Sequence, residues 1–234
     1  MTETSFFYKK YYKPLFDKIQ KYIPESIHPN VLTLSCFIII NTVYVYKLYK
    51  NPYYLSIIML LYFFLDNLDG VHARATKQTS RIGEILDHCI DGYMVVLLIT
   101  VYSKIFIKDI YLQNILLIVS ILTFNIKHLI HKYKGKLSLG FKYFSIDEIN
   151  LLCTIIPFLT FLNIPDIFYS YVAYIIIGSG SISLIKDISK LKNIKLYDII
   201  PYIGVGLLPY YNIDITIIGI IMSIYIYYLI ITKK

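Results

Sequence analysis

The sequence predicts an all-α integral membrane protein, a polytopic helical bundle of about six to eight transmembrane helices with an amphipathic N-terminal helix. Three observations predict it. The 234 residues are 57% hydrophobic with a mean hydropathy of +0.60, more apolar than an average soluble domain. The apolar residues gather into stretches near the roughly 20 residues that cross a bilayer. Short polar or turn-forming segments separate those stretches, and no long linker, fixed-period repeat or low-complexity segment interrupts them.

Residues 1–28 read as an amphipathic interfacial segment. Phe6, Phe7, Tyr11, Tyr12, Leu15, Ile19 and Tyr22 recur near helical spacing, with lysines between them, as in a helix lying at a membrane surface. Pro24 ends that helix and His28-Pro29 opens the first span. No short apolar signal segment with a small-residue cleavage site precedes it, which predicts that the amino terminus stays on the chain. Residues 29–234 are expected to form a single transmembrane catalytic domain. Eight spans are expected, near 30–49, 53–75, 82–106, 111–131, 146–163, 166–185, 196–211 and 213–232. The seventh holds Asp198, Pro201, Gly204, Gly206 and Pro209, which predicts a helix that is broken, re-entrant or half inserted. Cys36, Cys89 and Cys153 have no metal or redox spacing and read as packing residues.

Charge sets the expected orientation. With the amino terminus in the cytosol, only Lys47, Lys50, Lys104 and Lys108 of the 23 basic residues face the opposite side. The formal net charge of +8 then reflects topology and anionic headgroups, and no nucleic-acid-binding motif accompanies it. His128 and His131, beside Lys132, Lys134 and Lys136, are expected in a solvated cytosolic loop.

The chemistry is concentrated between residues 66 and 91, where the second span meets the third. Asp66, Asp69, Asp87 and Asp91 sit where a membrane protein tolerates charge least. One aspartate near mid-membrane costs about 2.5–3.5 kcal/mol, so four call for a compensating ligand, most simply a divalent metal. On helices, Asp66, Asp69, Gly70 and Ala73 share one stripe and Gly83, Asp87 and Asp91 another. Gly70, Ala73 and Gly83 let a backbone or a bulky ligand approach closely. Arg74 offers a planar fork of donors to a phosphate. These groups add up to a nucleotide diphosphate site. The competing reading, in which Arg74, Lys77 and Arg81 neutralise the acids without metal, leaves the spacing of acids and glycines unexplained. His88, between Asp87 and Asp91, suits either a structural hydrogen bond or a functional role.

The pattern Asp66-x2-Asp69-Gly70-x2-Ala73-Arg74-x8-Gly83-x3-Asp87-x3-Asp91 resembles, at every fixed position, the motif of the CDP-alcohol phosphatidyltransferases, integral membrane enzymes of phospholipid synthesis. Pro29-Asn30-Val31-Leu32-Thr33 resembles the entry to that family's first core helix. The segment Gly83-Glu84-Ile85-Leu86-Asp87-His88-Cys89-Ile90-Asp91 is most similar to the eukaryotic choline and ethanolamine phosphotransferase branch. So is Gly135-Lys136-Leu137-Ser138-Leu139-Gly140, with Glu148 shortly beyond. Cys89, Ile90 and Val71-His72 depart from that branch, and the chain is shorter than most of it, as if lacking its last spans.

The resemblance implies a Mg²⁺- or Mn²⁺-dependent transfer of a phospho-alcohol headgroup from CDP-choline or CDP-ethanolamine to diacylglycerol, with release of CMP. The alternative within the family is phosphatidyl transfer from CDP-diacylglycerol to inositol, serine or glycerol phosphate. Outside it stands a catalytically idle membrane scaffold or ion transporter, against which the complete acid set argues. Asp66, Asp69, Asp87 and Asp91 would hold two ions about 4 Å apart. Asp91 would be the base, because it shares the face of Asp87, with His88 its rival. Pro29, Asn30, Val31, Gly70, Ala73, Arg74, Ser80, Gly83 and Glu148 would contact substrate. The implied partners are a CDP-linked nucleotide, a lipid acceptor or donor, the membrane and a second copy of the chain in a homodimer. The protein would be multi-pass, with its amino terminus and active site cytosolic.

Overall fold

The computed structural model describes residues 6–135, 146–162, 164–191, 194–211 and 214–232. Among these residues every regular element is helical. The chain divides into two compact units, Thr2–Asp87 with Ser138–Ile164, and His88–Leu137 with Pro165–Lys234.

In the first unit, a π-helical turn at Tyr8–Tyr12 leads into α1 (Lys13–Ile19) and a 3-10 turn at Gln20–Tyr22. Helix α2 (Pro29–Val45) starts where proline at the first helical position needs no N–H and His28 Nδ1 accepts from Asn30 N–H at 3.2 Å. Helix α3 (Pro52–Ala75) repeats the device, with Asn51 Oδ1 accepting from Tyr53 N–H at 3.0 Å. It packs against α2 and against α6 (Ile146–Phe158), which ends in a 3-10 turn at Leu159–Leu162. The N-terminal segment differs from a helix lying wholly at a surface. Phe16 is fully buried against Phe63, Leu68 and Val71 of α3, with Tyr12 and Ile19 beside it, while Phe6, Phe7, Tyr11, Leu15 and Tyr22 are exposed. Tyr12, Phe16 and Ile19 follow one another at four and three residues and so share one helical face, which puts Phe16 rather than Leu15 against α3.

Helix α4 (Arg81–Phe106) begins in the first unit and continues into the second. There α5 (Ile110–Lys134) packs against α7 (Asp166–Ile188), α8 (Leu196–Leu207) and α9 (Ile215–Ile231). Asp109 caps α5, accepting from Tyr111 N–H at 2.8 Å, and Gly135 in the left-handed region (φ 69°) ends it. The core holds Met94, Leu97, Ile121, Ile126, Leu129, Ile218, Met222 and Ile226. Buried charges hold the helices in register. Asp198, fully buried at the start of α8, accepts from Lys132 Nζ (2.6 Å), Tyr133 OH (2.5 Å) and Tyr228 OH (2.9 Å). Asp187 of α7 is paired with Lys127 and with Lys190 (2.6 Å).

Helices α3, α4, α5 and α7 are long and apolar enough to cross a membrane, and α2, α8 and α9 are shorter apolar helices. The seventh expected span is the short α8, with Pro201 inside and a 3-10 turn at Leu208–Tyr211 after it. The solvated loop expected around His128 is corrected: α5 runs on to Lys134, burying His128, His131 and Lys132. Lys136 lies outside the described residues. The ion pair with Asp198 explains the difference, since a basic helix end that reads as solvated is drawn into the protein by a buried carboxylate.

Candidate active site

The last turns of α3 carry Asp66, Asp69, Gly70, Ala73 and Arg74. The three- and four-residue spacings place Asp66, Asp69, Gly70 and Ala73 on one helical stripe. Asp69 is 6% exposed, and the buried Thr33 of α2 donates its hydroxyl to Asp69 Oδ2 at 2.6 Å, a short charge-assisted bond that fixes the carboxylate. Thr33 belongs to the Pro-Asn-x-x-Thr entry segment, but sequence reasoning assigns it no role. Its spacing, one turn after Pro29 on the same face, was the available signal.

Gly70 has a definite use. A Cβ there would stand 3.2 Å from a guanidinium nitrogen of Arg74, so the missing side chain leaves the arginine room to lie along α3. Arg74 is otherwise exposed, with its donors open to an anion. His72 Nε2 meets the Ile27 carbonyl at 2.8 Å and Gln78 donates to the Glu25 carbonyl at 3.0 Å, fixing the approaches to α2 and α3.

Asn30, Ser80 and Gly83 come together in the first unit. Ser80 Oγ accepts from Gly83 N–H at 3.0 Å, capping α4. A Cβ on Gly83 would stand 3.1 Å from Asn30 Oδ1 and 3.2 Å from Ser80 Oγ. The glycine thus keeps two polar side chains close above a helix N-terminus, an environment suited to a phosphate or a sugar hydroxyl. Pro29 is buried and Val31 exposed at the start of α2. Glu148 lies on α6, and its side chain is outside the described residues.

Asp87, His88 and Asp91 occupy one turn of α4. One ligand atom from each lies within 4.8 Å of the others, and all three residues are partly exposed. The turn adds His88 to the donors that the aspartate spacing predicts. Within the second unit the His88 ring lies edge-on to His128 (centroids 5.3 Å apart) and to His131 (6.4 Å). Sequence reasoning missed this histidine cluster, because spacing along α5 says nothing of what α4 brings beside it.

A carboxylate-rich turn with an imidazole at its centre, a hydroxyl-clamped aspartate and an arginine on a small-residue stripe are groups that handle divalent cations and phosphates. A family model described as CDP-alcohol phosphatidyltransferase matches residues 26–178. The chain is 35% identical over 103 residues to cholinephosphotransferase 1 of Saccharomyces cerevisiae, covering 38% of this chain and 26% of that protein. It is 29% identical over 108 residues to human (Homo sapiens) ethanolaminephosphotransferase 1, covering 38% and 27%. It is also 35% identical over 80 residues to the CDP-diacylglycerol–serine O-phosphatidyltransferase of Encephalitozoon cuniculi, covering 30% and 21%. The chain therefore spans about a quarter of the length of the curated relatives it matches. With more than half of its length in the family match, and the motif residues lying inside that match, the chain belongs to the CDP-alcohol phosphatidyltransferase family.

Proposed function

We propose that this protein transfers a phospho-alcohol headgroup from CDP-choline or CDP-ethanolamine to diacylglycerol and releases CMP. The observation that carries the reading is the turn of α4 in which His88 lies between Asp87 and Asp91 with donor atoms within 4.8 Å. A histidine directly after the third aspartate favours the choline and ethanolamine branch, and the yeast and human relatives carry those names.

The donor set fits a hard divalent cation, since carboxylate oxygens and one imidazole suit Mg²⁺ or Mn²⁺ better than soft metals. Asp66, Asp69, Asp87 and Asp91 would hold two such ions. When bound, they supply stabilisation of the charge that develops on the phosphoryl oxygens. Arg74 binds a phosphate, with Gly70 and Ala73 leaving space for it. Asn30, Ser80 and Gly83 contact the nucleotide, and Pro29, Val31 and Glu148 line its approach. The acceptor hydroxyl oxygen forms a bond to the phosphorus distal to cytidine, and the bond from that phosphorus to the bridging oxygen breaks. CMP leaves with the electron pair, and the hydroxyl proton passes to a carboxylate oxygen of Asp91, His88 being the other candidate. No covalent enzyme intermediate is required.

The excess of basic residues on one side supports a cytosolic amino terminus and a cytosolic acid motif, within reach of a soluble nucleotide. A second reading, phosphatidyl transfer from CDP-diacylglycerol to a polar alcohol, draws support from the similarity to the Encephalitozoon serine transferase. Lipid product analysis of purified protein, offered each CDP substrate with candidate acceptors, tests both. Mg²⁺-dependent CMP release with phosphatidylcholine or phosphatidylethanolamine as product supports the first, and phosphatidylserine from CDP-diacylglycerol the second. Absence of CMP release from every substrate overturns both in favour of a scaffold or ion transporter.

A further inference from the structure

Helix α5 carries polar groups that this chemistry does not use. Asn125 is fully buried, and neither its Oδ1 nor its Nδ2 has a hydrogen-bond partner among the described residues. One turn further on, His128 is 1% exposed, with Nδ1 3.2 Å from the Phe124 carbonyl oxygen. A carbonyl oxygen only accepts, so Nδ1 carries the ring hydrogen and Nε2 presents a lone pair. That Nε2 is also buried and unpartnered among the described residues. Unmet polar atoms in a protein interior are rare because each forfeits its hydration, and leucine or phenylalanine would fill these positions without that penalty. A purely structural role therefore leaves Asn125 and His128 unexplained.

Their position is informative. A short connection at 107–109 lets α5 return along α4, and the His88 and His128 rings meet edge-on with centroids 5.3 Å apart. Counted back along α4 from Phe106, His88 is as far from that connection as His128 is when counted forward along α5 from Ile110. Asp91 and Asn125 form a second such pair, closer to the same two helix ends. Because an α-helix rises by the same increment at every residue, His128 stands level with His88, and Asn125 level with Asp91.

We propose that Asn125 and His128 form the seat of the acceptor alcohol's hydroxyl, an inference that rests on the transferase reading above. One hydroxyl can bond to both residues at once. Its hydrogen goes to His128 Nε2, and its oxygen takes a hydrogen from Asn125 Nδ2, leaving a lone pair for attack on phosphorus. Rotation about the C–O bond then turns the same hydrogen toward the level of Asp91 and His88, where the proton is removed. Asn125 and His128 hold and orient the nucleophile, and the proton is not theirs to keep.

Ribose hydroxyls of the nucleotide offer the same chemistry, so the test separates the two sources. The full-length protein is assayed for CMP release with Mg²⁺ and CDP-choline or CDP-ethanolamine, varying dioleoylglycerol and the nucleotide in turn. His128→Asn keeps a donor near Nδ1 and loses Nε2, whereas His128→Gln places an amide near Nε2. We expect His128→Asn and Asn125→Leu to lower kcat/KM for dioleoylglycerol roughly 10- to 100-fold, the worth of one buried hydrogen bond. His128→Gln should recover most of that loss, and the KM for the nucleotide should stay within about twofold in all three. Asn125→Leu should also raise the melting temperature of the ligand-free protein, because it removes unmet polar atoms; a structural asparagine would do the reverse. Equal acceptor kinetics for His128→Asn and His128→Gln, or a loss confined to the nucleotide KM, overturns the seat. If a His128 variant fails to purify, Asn125→Leu decides alone, with parental acceptor kinetics refuting the proposal. A parent protein that releases no CMP refutes the transferase reading itself.

Discussion

Replacing Thr33 by valine removes one hydroxyl at nearly constant volume and isolates what holds Asp69 in place. Thr33 and Asp69 are each 6% exposed, so water cannot easily replace the 2.6 Å bond between them. A hydrogen bond to a charged group contributes about 1.5–3 kcal/mol, and the short distance puts this one in the stronger class. If Asp69 is a metal ligand, Thr33 is the outer partner that orients it. Loss of such a partner typically weakens metal affinity by roughly 10- to 100-fold. The expected result is that Thr33→Val raises the Mg²⁺ concentration for half-maximal CMP release by roughly 10- to 100-fold, while saturating Mg²⁺ restores most of the rate. Thr33→Ser, which keeps the hydroxyl, should stay close to the parent. The assay is a Mg²⁺ titration of CMP release at fixed, saturating CDP-substrate, with thermal melting in parallel to register the cost to the fold. An unchanged Mg²⁺ requirement in Thr33→Val would refute the claim that Asp69 is a metal ligand held by Thr33.

Asp66→Asn and Asp87→Asn should each nearly abolish turnover while the protein still inserts and purifies; near-normal CMP release from both would sink the metal assignment. Gly83→Ala forces a methyl to 3.1 Å from Asn30 Oδ1 and 3.2 Å from Ser80 Oγ, so it should raise the KM for the CDP-substrate about tenfold with a smaller change in kcat, read from initial rates. Asp91→Asn should remove activity under all conditions, whereas His88→Ala should lower it and leave Mg²⁺-dependent nucleotide binding intact; parental activity of His88→Ala across about pH 6–9 would make His88 a packing residue. After replacement of Cys36, Cys89 and Cys153, a cysteine at Lys134 should react with an impermeant thiol reagent only from the cytosolic side and one at Lys50 only from the other, and labelling from the same face would break the proposed orientation.

Much of the helix pattern could be read from hydropathy because the limits are written locally. Prolines at 29 and 52 and the capping residues Asn51 and Asp109 mark starts that the structure places within a residue or so of expectation. The reading went astray where a distant residue decides. The basic end of α5 reads as solvated until Asp198, 66 positions further on, pairs with Lys132. Phe16 shares the helical face of Tyr12 and Ile19, and only the presence of α3 shows that this face is buried. The four aspartates were legible as a candidate site because charge in an apolar stretch is conspicuous. Thr33 and Asn125 were not, since a neutral polar residue in a membrane helix becomes informative only when its partner, or the lack of one, is seen.

The buried aspartates also bear on whether the site is needed for structure alone. Asp187 and Asp198 show how this chain stabilises a carboxylate that serves the fold: two lysines surround the first, and a lysine and two tyrosines the second. Each brings its countercharge in the same polypeptide, which is what burial of a lasting ion requires. Asp69 is as inaccessible as many core residues, yet its closest described side-chain donor is the neutral hydroxyl of Thr33. A hydroxyl fixes the carboxylate's direction without cancelling its charge. That suits a group whose countercharge arrives from outside, and it is poor design for a purely structural anion in an apolar helix bundle. The reading in which basic side chains merely neutralise the motif would predict for Asp69 the lysine-rich environment of Asp187, which the second unit proves this chain can build.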